Sequence, residues 1–160
     1  MKTIHLAKGK QTLVDDGMFE FLDRFAWYCG NGYAVRGLKI GKEQTTMSLH
    51  HYVLPKKDGF VIDHINRDKL DNRRENLRYA TKAQNRANSP PGKNNTSGYK
   101  GLRKSGSRWT AQALEKGKFF FLGVYKTKQE AALAYNAYAV AVFGEFAWLN
   151  PVALNKADVQ

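Results

Sequence analysis

The sequence predicts an α+β protein, and three observations support that expectation. The first third alternates short apolar and polar runs between glycines, as short antiparallel strands do. The centre reads strand, long polar loop, strand, helix, and the final third holds three strand-like runs followed by one long helix. The expected organisation is an N-terminal strand-rich segment (1–46), a central ββα unit (47–89), a linker (90–98), a three-stranded antiparallel sheet backed by one helix (99–150) and a tail (151–160).

In the first segment, Thr3-Ile4-His5-Leu6 and Tyr33-Ala34-Val35-Arg36 alternate between glycine-marked turns, with room for one short helix near Phe19 to Phe25. The run Met47 to Leu54 then reads as a strand, Pro55 to Gly59 as a turn, and Phe60 to Ile65 as a second strand. A polar loop follows from Asn66 to Asn76. Leu77 to Ala80 is a short extended piece, and Thr81 is placed to cap a helix reaching about Asn88. Ser89 to Gly98 contains Pro90, Pro91, Gly92 and Gly98 and no large apolar residue, which is linker composition.

The last segment resumes with Tyr99 to Arg103, Trp109 to Leu114 and Phe119 to Tyr125 as strands. Thr127 caps a helix from Lys128 to about Phe143, ended by Gly144, with Ala131, Ala134, Tyr135, Tyr138 and Val142 at helical spacing on one face. Strand alternation puts Thr110, Gln112 and Leu114 on one side of the sheet and Trp109, Ala111 and Ala113 on the other, toward the helix. Trp109 and Phe120 are expected in the core, which in so small a sheet-on-helix unit needs large apolar groups.

Charge narrows the function. The 160 residues carry 26 Lys plus Arg against 14 Asp plus Glu, a net +12. The stretch from Asp63 to Arg108 alone contributes +8, from twelve basic and four acidic residues interleaved with Asn, Gln, Ser and Thr. Cations mixed with amides and hydroxyls suit phosphates and base edges, so the expected partner is double-stranded DNA. Arg73, Arg74, Arg78, Lys82, Arg86, Lys100, Arg103, Lys104, Arg108 and Gln112 are the candidate contacts; Lys8, Lys10, Arg36, Lys39 and Lys42 are further candidates for phosphate. No long amphipathic helix pairs these cations with an apolar stripe, which argues against a membrane surface. No stretch reaches the roughly 20 apolar residues of a membrane span, and Met1 to Lys10 lacks the apolar core of a secretory signal, so the chain is expected to act in the cytoplasm. A single cysteine, Cys29, excludes an internal disulfide and a cysteine-pair zinc finger.

One cluster has the parts for phosphodiester hydrolysis: Asp63-His64, Asn76 and Asn85. Such a reaction needs a base to deprotonate water and a cation beside the attacked phosphate, and a hard divalent ion prefers oxygen ligands. A neutral imidazole supplies the first; a carboxylate and an amide carbonyl supply oxygens for the second. Asn76, closing the loop, has two possible roles: bridging backbone groups, or holding the imidazole in one tautomer.

The stretches His50-His51-Tyr52-Val53, Val61-Ile62-Asp63-His64-Ile65-Asn66, Leu70-Asp71-Asn72-Arg73-Arg74-Glu75-Asn76-Leu77-Arg78 and Thr81-Lys82-Ala83-Gln84-Asn85 resemble the HNH motif of homing-type endonucleases. The resemblance implies a ββα-metal nuclease in which Asp63 and Asn85 hold one divalent ion (Mg first, Mn as the alternative). It further implies that His64 is the general base and that Asn76 braces the loop and orients the histidine. Many relatives have His-Arg where this chain has His50-His51; His50 either faces the site, as a third catalytic candidate, or buttresses its strand. The C-terminal stretches Tyr99-Lys100-Gly101-Leu102-Arg103, Arg108-Trp109-Thr110-Ala111, Phe121-Leu122-Gly123-Val124-Tyr125 and Phe143 to Asn150 resemble the plant ethylene-response-factor (APETALA-type) DNA-binding domain. That resemblance implies a sheet facing DNA, with Arg103 and Gln112 as base readers and Leu114, Phe119 and Phe121 where polar or cationic readers would otherwise stand. The expected protein is a site-specific DNA endonuclease acting as monomer or dimer, without a small-molecule cofactor. Two rivals remain: a DNA-binding regulator without catalysis, and an RNA-binding module.

Overall fold

A computed structural model describes residues 1–115 and 117–152 and confirms the α+β class. The tail expected from 151 lies, from 153 onward, outside the described residues. Two compact units divide the chain, Met1–Lys82 and Ala83–Gln160.

The first unit begins with an antiparallel pair, β1 (Lys2–His5) and β2 (Gln11–Val14), then a short helix α1 (Asp16–Leu22). A three-stranded antiparallel sheet follows in the order β3 (Tyr28–Gly30), β4 (Tyr33–Ile40), β5 (Glu43–Ser48). Ile4, Val14, Leu22, Trp27 and Leu49 form the core between these pieces, and the Trp27 indole donates to the Leu22 carbonyl at 2.8 Å. Removing this much apolar surface from water is the main force holding strands of three to eight residues together.

The strand expected over Met47–Leu54 is corrected. β5 ends at Ser48, and a short helix, α2 (His50–Val53), takes over. Leu49, Tyr52 and Val53 reach the same core at helical spacing, and Leu54 N donates to His50 O at 2.8 Å. Burial along a period of three to four residues overrode a run of strand-forming side chains. Beyond the turn, β6 (Val61–His64) pairs with β7 (Leu77–Ala80), with Asp63 opposite Arg78 and His64 opposite Leu77. The loop between them is anchored on the edge of β2. Leu13 bridges Asp71 in parallel register, its N–H donating to Leu70 O at 2.8 Å and its carbonyl accepting Asn72 N at 2.9 Å.

The division after Lys82 falls within the helix α3 (Lys82–Asn88). In the second unit the proline-rich segment is internally hydrogen-bonded: Asn95 N donates to Gly92 O, and Gly98 N to the Asn95 side chain at 2.7 Å. Three strands follow, ordered β10 (Lys118–Tyr125), β9 (Arg108–Glu115), β8 (Leu102–Ser105). One helix, α4 (Lys128–Phe143), packs on them, begun by a complete capping box between Thr127 and Glu130 and ended at Gly144. Ala111 and Ala113 of β9 meet Ala131, Ala132 and Ala139 of α4, so small side chains set a close sheet-to-helix distance. Trp109 packs on this core as expected. Phe120 does not enter it: its ring lies 6.2 Å from Tyr138 and it remains 41% exposed, because α4 covers that end of the hairpin only in part. No described helix is long and apolar enough to cross a membrane.

Gly101 has φ +76°, and a Cβ there would overlap the Tyr135 ring and crowd the Gln112 carbonyl. Gly101→Ala combines overpacking with a left-handed backbone for an L-residue, and is expected to cost about 2–5 kcal/mol in chemical denaturation of the full chain.

Candidate functional site

Asp63 and His64 end β6, and both are 4% exposed. Burial in the strand places their backbones; the loop that follows places their side chains. His64 O accepts Arg67 N, closing a tight turn, and Ile65 N donates to Asn76 O at 2.9 Å. Asn76 then bonds inside the loop: its Oδ1 accepts Asn66 N at 2.9 Å and its Nδ2 donates to Asp71 O at 2.7 Å. Its part in bracing the loop is therefore direct.

Orientation of the histidine falls to a different residue, and the expectation for Asn76 is corrected here. His64 Nε2 lies 3.3 Å from Asn72 Oδ1. The direction of that bond follows from the rest of the chain of bonds. The Thr12 hydroxyl donates its one proton to Leu70 O at 2.6 Å, so its oxygen accepts Asn72 Nδ2 at 2.7 Å. Asn72 Oδ1 is thereby fixed as an acceptor, Nε2 carries the imidazole proton, and the lone pair sits on Nδ1. Thr12 and Asn72 are each 1% exposed, so water does not compete for these bonds. Neither residue was singled out from sequence. Asn72 lay inside the quoted motif without a role; Thr12, sixty positions away, gave no signal.

The carboxylates of the site are both paired. Arg78 Nε meets Asp63 Oδ2 at 2.9 Å, the two side chains being 12% and 4% exposed. Arg73 holds Asp71 through both carboxylate oxygens, at 2.8 and 2.7 Å, and also reaches Glu75. This grip holds the Asp71 carboxyl below the usual carboxylate range. Arg73 and Arg78, expected on DNA, are thus engaged with the site's own acids; Arg74 also bonds inward, to Leu77 O at 3.0 Å.

Three imidazoles and a phenol lie together. The His50 ring is 4.4 Å from His51, 5.4 Å from His64 and 5.4 Å from Tyr33. His50 therefore faces the site, from a helix rather than a strand. Burial, followed by the fields of His51, His64 and Lys56, pushes its pKa down to about 3. Burial also lowers the pKa of His64, against the opposing effects of Asn72 and three aspartates. A His64 that stays neutral at ordinary pH is a base ready to take a proton.

In the second unit, Asn85 lies on α3, where its carbonyl accepts the Ser89 hydroxyl at 3.2 Å. Lys100, expected on DNA, is instead a helix cap. Its ammonium donates to the carbonyls of Arg86, Ala87 and Ser89 at 2.7–2.8 Å, and burial lowers its pKa to about 8. Arg86, Arg103, Lys104 and Arg108 are exposed, Gln112 is half-buried, and Lys82, at the end of the first unit, is exposed. Among the described residues no group of three or more His, Cys, Asp or Glu side chains is placed to hold a metal ion.

Residues 52–87 match the model of an HNH endonuclease family. The chain is also 33% identical, over 153 residues, to an uncharacterized HNH endonuclease of Acanthamoeba polyphaga mimivirus, covering 92% of this chain and 79% of that relative. No solved structure matches it. The chain belongs to the HNH endonuclease family, and family membership implies DNA as its substrate. The family match ends at residue 87 and does not extend over the sheet-and-helix unit.

Two outcomes are expected. Thr12→Val removes the acceptor that fixes the Asn72 amide and should cost about 1–3 kcal/mol in urea denaturation. For His50, the folded pKa lies below the unfolded 6.5, so at low pH the unfolded chain binds a proton that the folded chain refuses. Its contribution is intact above pH 6.5, and stability falls as pH drops from there toward about 3. Urea titrations across that range should show the slope in the wild type and a shallower one in His50→Phe.

Proposed function

We propose that the protein is a homing-type endonuclease that hydrolyses phosphodiester bonds of duplex DNA at a chosen site, with His64 as general base. The observation that carries this reading is the orientation of the buried His64 imidazole, held at Nε2 by Asn72, whose amide is in turn set by Thr12. Burial keeps the imidazole neutral and so able to act. Asn76 and Asp71 hold the loop rigid, and a rigid base loses little orientation entropy when the phosphate arrives.

A divalent ion fits the chemistry of the donors. Mg or Mn retains water and binds phosphate, so the protein needs to offer only one or two oxygens. In this reading Asp63 supplies a buried carboxylate and Asn85 an amide oxygen. When bound, such an ion neutralises charge on the attacked phosphate and the departing oxygen. The remaining steps belong to the chain: His64 takes a proton from water, and exposed cations of the second unit hold the backbone in place. The outer face of the sheet, with Arg103, Arg108 and Gln112, is proposed to meet DNA; its support is a three-stranded sheet backed by a capped helix, as the resemblance implied.

One observation favours a second reading. The Asp63–Arg78 ion pair already neutralises the carboxylate that a metal would use, which suits a DNA-binding protein without catalysis. A plasmid-nicking assay with Mg separates the two. On the nuclease reading the wild type cuts, His64→Ala lowers the rate about 10²- to 10⁴-fold while DNA affinity stays within a few-fold, and Asp63→Ala or chelator stops turnover. Full cleavage by His64→Ala removes the base assignment, and full cleavage in chelator removes the metal. No cleavage by the wild type, with DNA binding intact, selects the second reading. Asn72→Leu should cut more slowly than wild type by about 10-fold or more while still binding DNA.

A further inference from the structure

We infer that the outer face of the β8–β9–β10 sheet is a stacking platform for unpaired DNA bases, with Phe119 and Phe121 as the stacking rings. This rests on the reading above that the same face meets DNA, and it specifies a DNA form that a duplex-reading sheet does not prefer.

The register defines the face. Phe119 pairs with Leu114, Phe121 with Gln112, and Arg103 with Thr110, so these side chains stand on the side away from α4. Phe119 and Phe121 are each 69% exposed. Phe120 between them turns the other way, toward Tyr138. A β-strand carries residues two apart at about 6.8 Å, which is two base-stacking intervals of about 3.4 Å.

Chemistry selects the occupant. A phenyl ring has no donor or acceptor, so in a groove it can meet only a thymine methyl and makes no hydrogen bond to a base edge or a phosphate. It can cover the π-face of a base, which is open without an unstacking cost only where that base is unpaired. Arg103 and Arg108 are exposed on the same face and complement a phosphate backbone. No acidic residue shares it: Glu115, the one acid in these three strands, belongs to the opposite side, where it accepts the Tyr138 hydroxyl at 3.0 Å. Exposed aromatic rings among cations, on an acid-free face, make up the recognised chemistry for single-stranded nucleic acid. The choice of DNA follows from the substrate of the family.

The test measures fluorescence anisotropy of the full chain, in chelator so that no strand is cut, on three probes. These are a duplex, the same duplex with a central bubble of unpaired bases, and single-stranded RNA of the bubble sequence. The bubble should bind at least about 10-fold tighter than the intact duplex, since each stacked base contributes roughly 5- to 150-fold. A Phe119→Ala/Phe121→Ala double variant should lose that preference and keep its duplex affinity within about two-fold, while Phe119→Trp/Phe121→Trp should retain the preference. Both rings point outward, so the double variants should melt with the wild type by circular dichroism. Equal affinity for bubble and duplex overturns the inference, as does a preference that survives in the alanine variant, or RNA bound more tightly than the bubble. Self-association of the wild type that the alanine variant abolishes, with no change in DNA binding, assigns the face to a second copy and also overturns it. Arg103→Ala/Arg108→Ala tests the underlying reading separately. Unchanged affinity for every probe removes DNA from this face altogether, whereas weaker binding to all probes without a bubble preference removes only the stacking.

Discussion

A hydroxyl on β2 determines which nitrogen of the central histidine is basic. Thr12 gives its proton to Leu70 O, must therefore accept from Asn72, and so turns the Asn72 oxygen toward His64 Nε2. The two bonds at Thr12 are short, 2.6 and 2.7 Å, the one to His64 is longer at 3.3 Å, and the Thr12 and Asn72 side chains are buried. The loop from Asn66 to Asn76 has little apolar content of its own, yet hydrogen bonds hold it along its length. It bridges the edge of β2 through Leu13 and Asp71 and is crossed by the amides of Asn66 and Asn76. The N-terminal strands therefore support the site at the positions the loop touches.

Charge acts in two ways in this molecule. Arg73 and Arg78 neutralise Asp71 and Asp63, which could not otherwise be buried at 2% and 4% exposure without a large desolvation cost. Lys100 caps the end of α3. Cations still exposed, including Arg103 and Arg108 on the second unit and Lys8, Lys10, Lys39 and Lys42 on the first, are available to a polyanion. A net charge of +12 thus overstates the surface that DNA meets.

The second unit depends on small residues. Alanines on β9 and α4 let the helix approach the sheet, and Gly101 lets the chain pass under Tyr135. The cost of so small a core is that large apolar groups are not all enclosed, and the phenylalanines of β10 remain outside.

Much of this was legible in the chain itself. The α+β class, the strand–loop–strand–helix order and the capped α4 follow from local periodicity and capping chemistry, which act within a few residues, whereas Val142, expected on the core face of α4, is 41% exposed and Ala132 and Ala139 are buried there instead. So did the residues of the HNH motif, because their spacing is a property of sequence. The strand expected at His50 failed because burial of Leu49, Tyr52 and Val53 against a distant core favoured a helical turn over a local preference. The roles of Asn72, Thr12, Arg78 and Lys100 were decided only by tertiary structure. A cation or an amide in the sequence has donors and acceptors but no partners, and which partner it meets depends on residues eight to sixty positions apart being folded against one another.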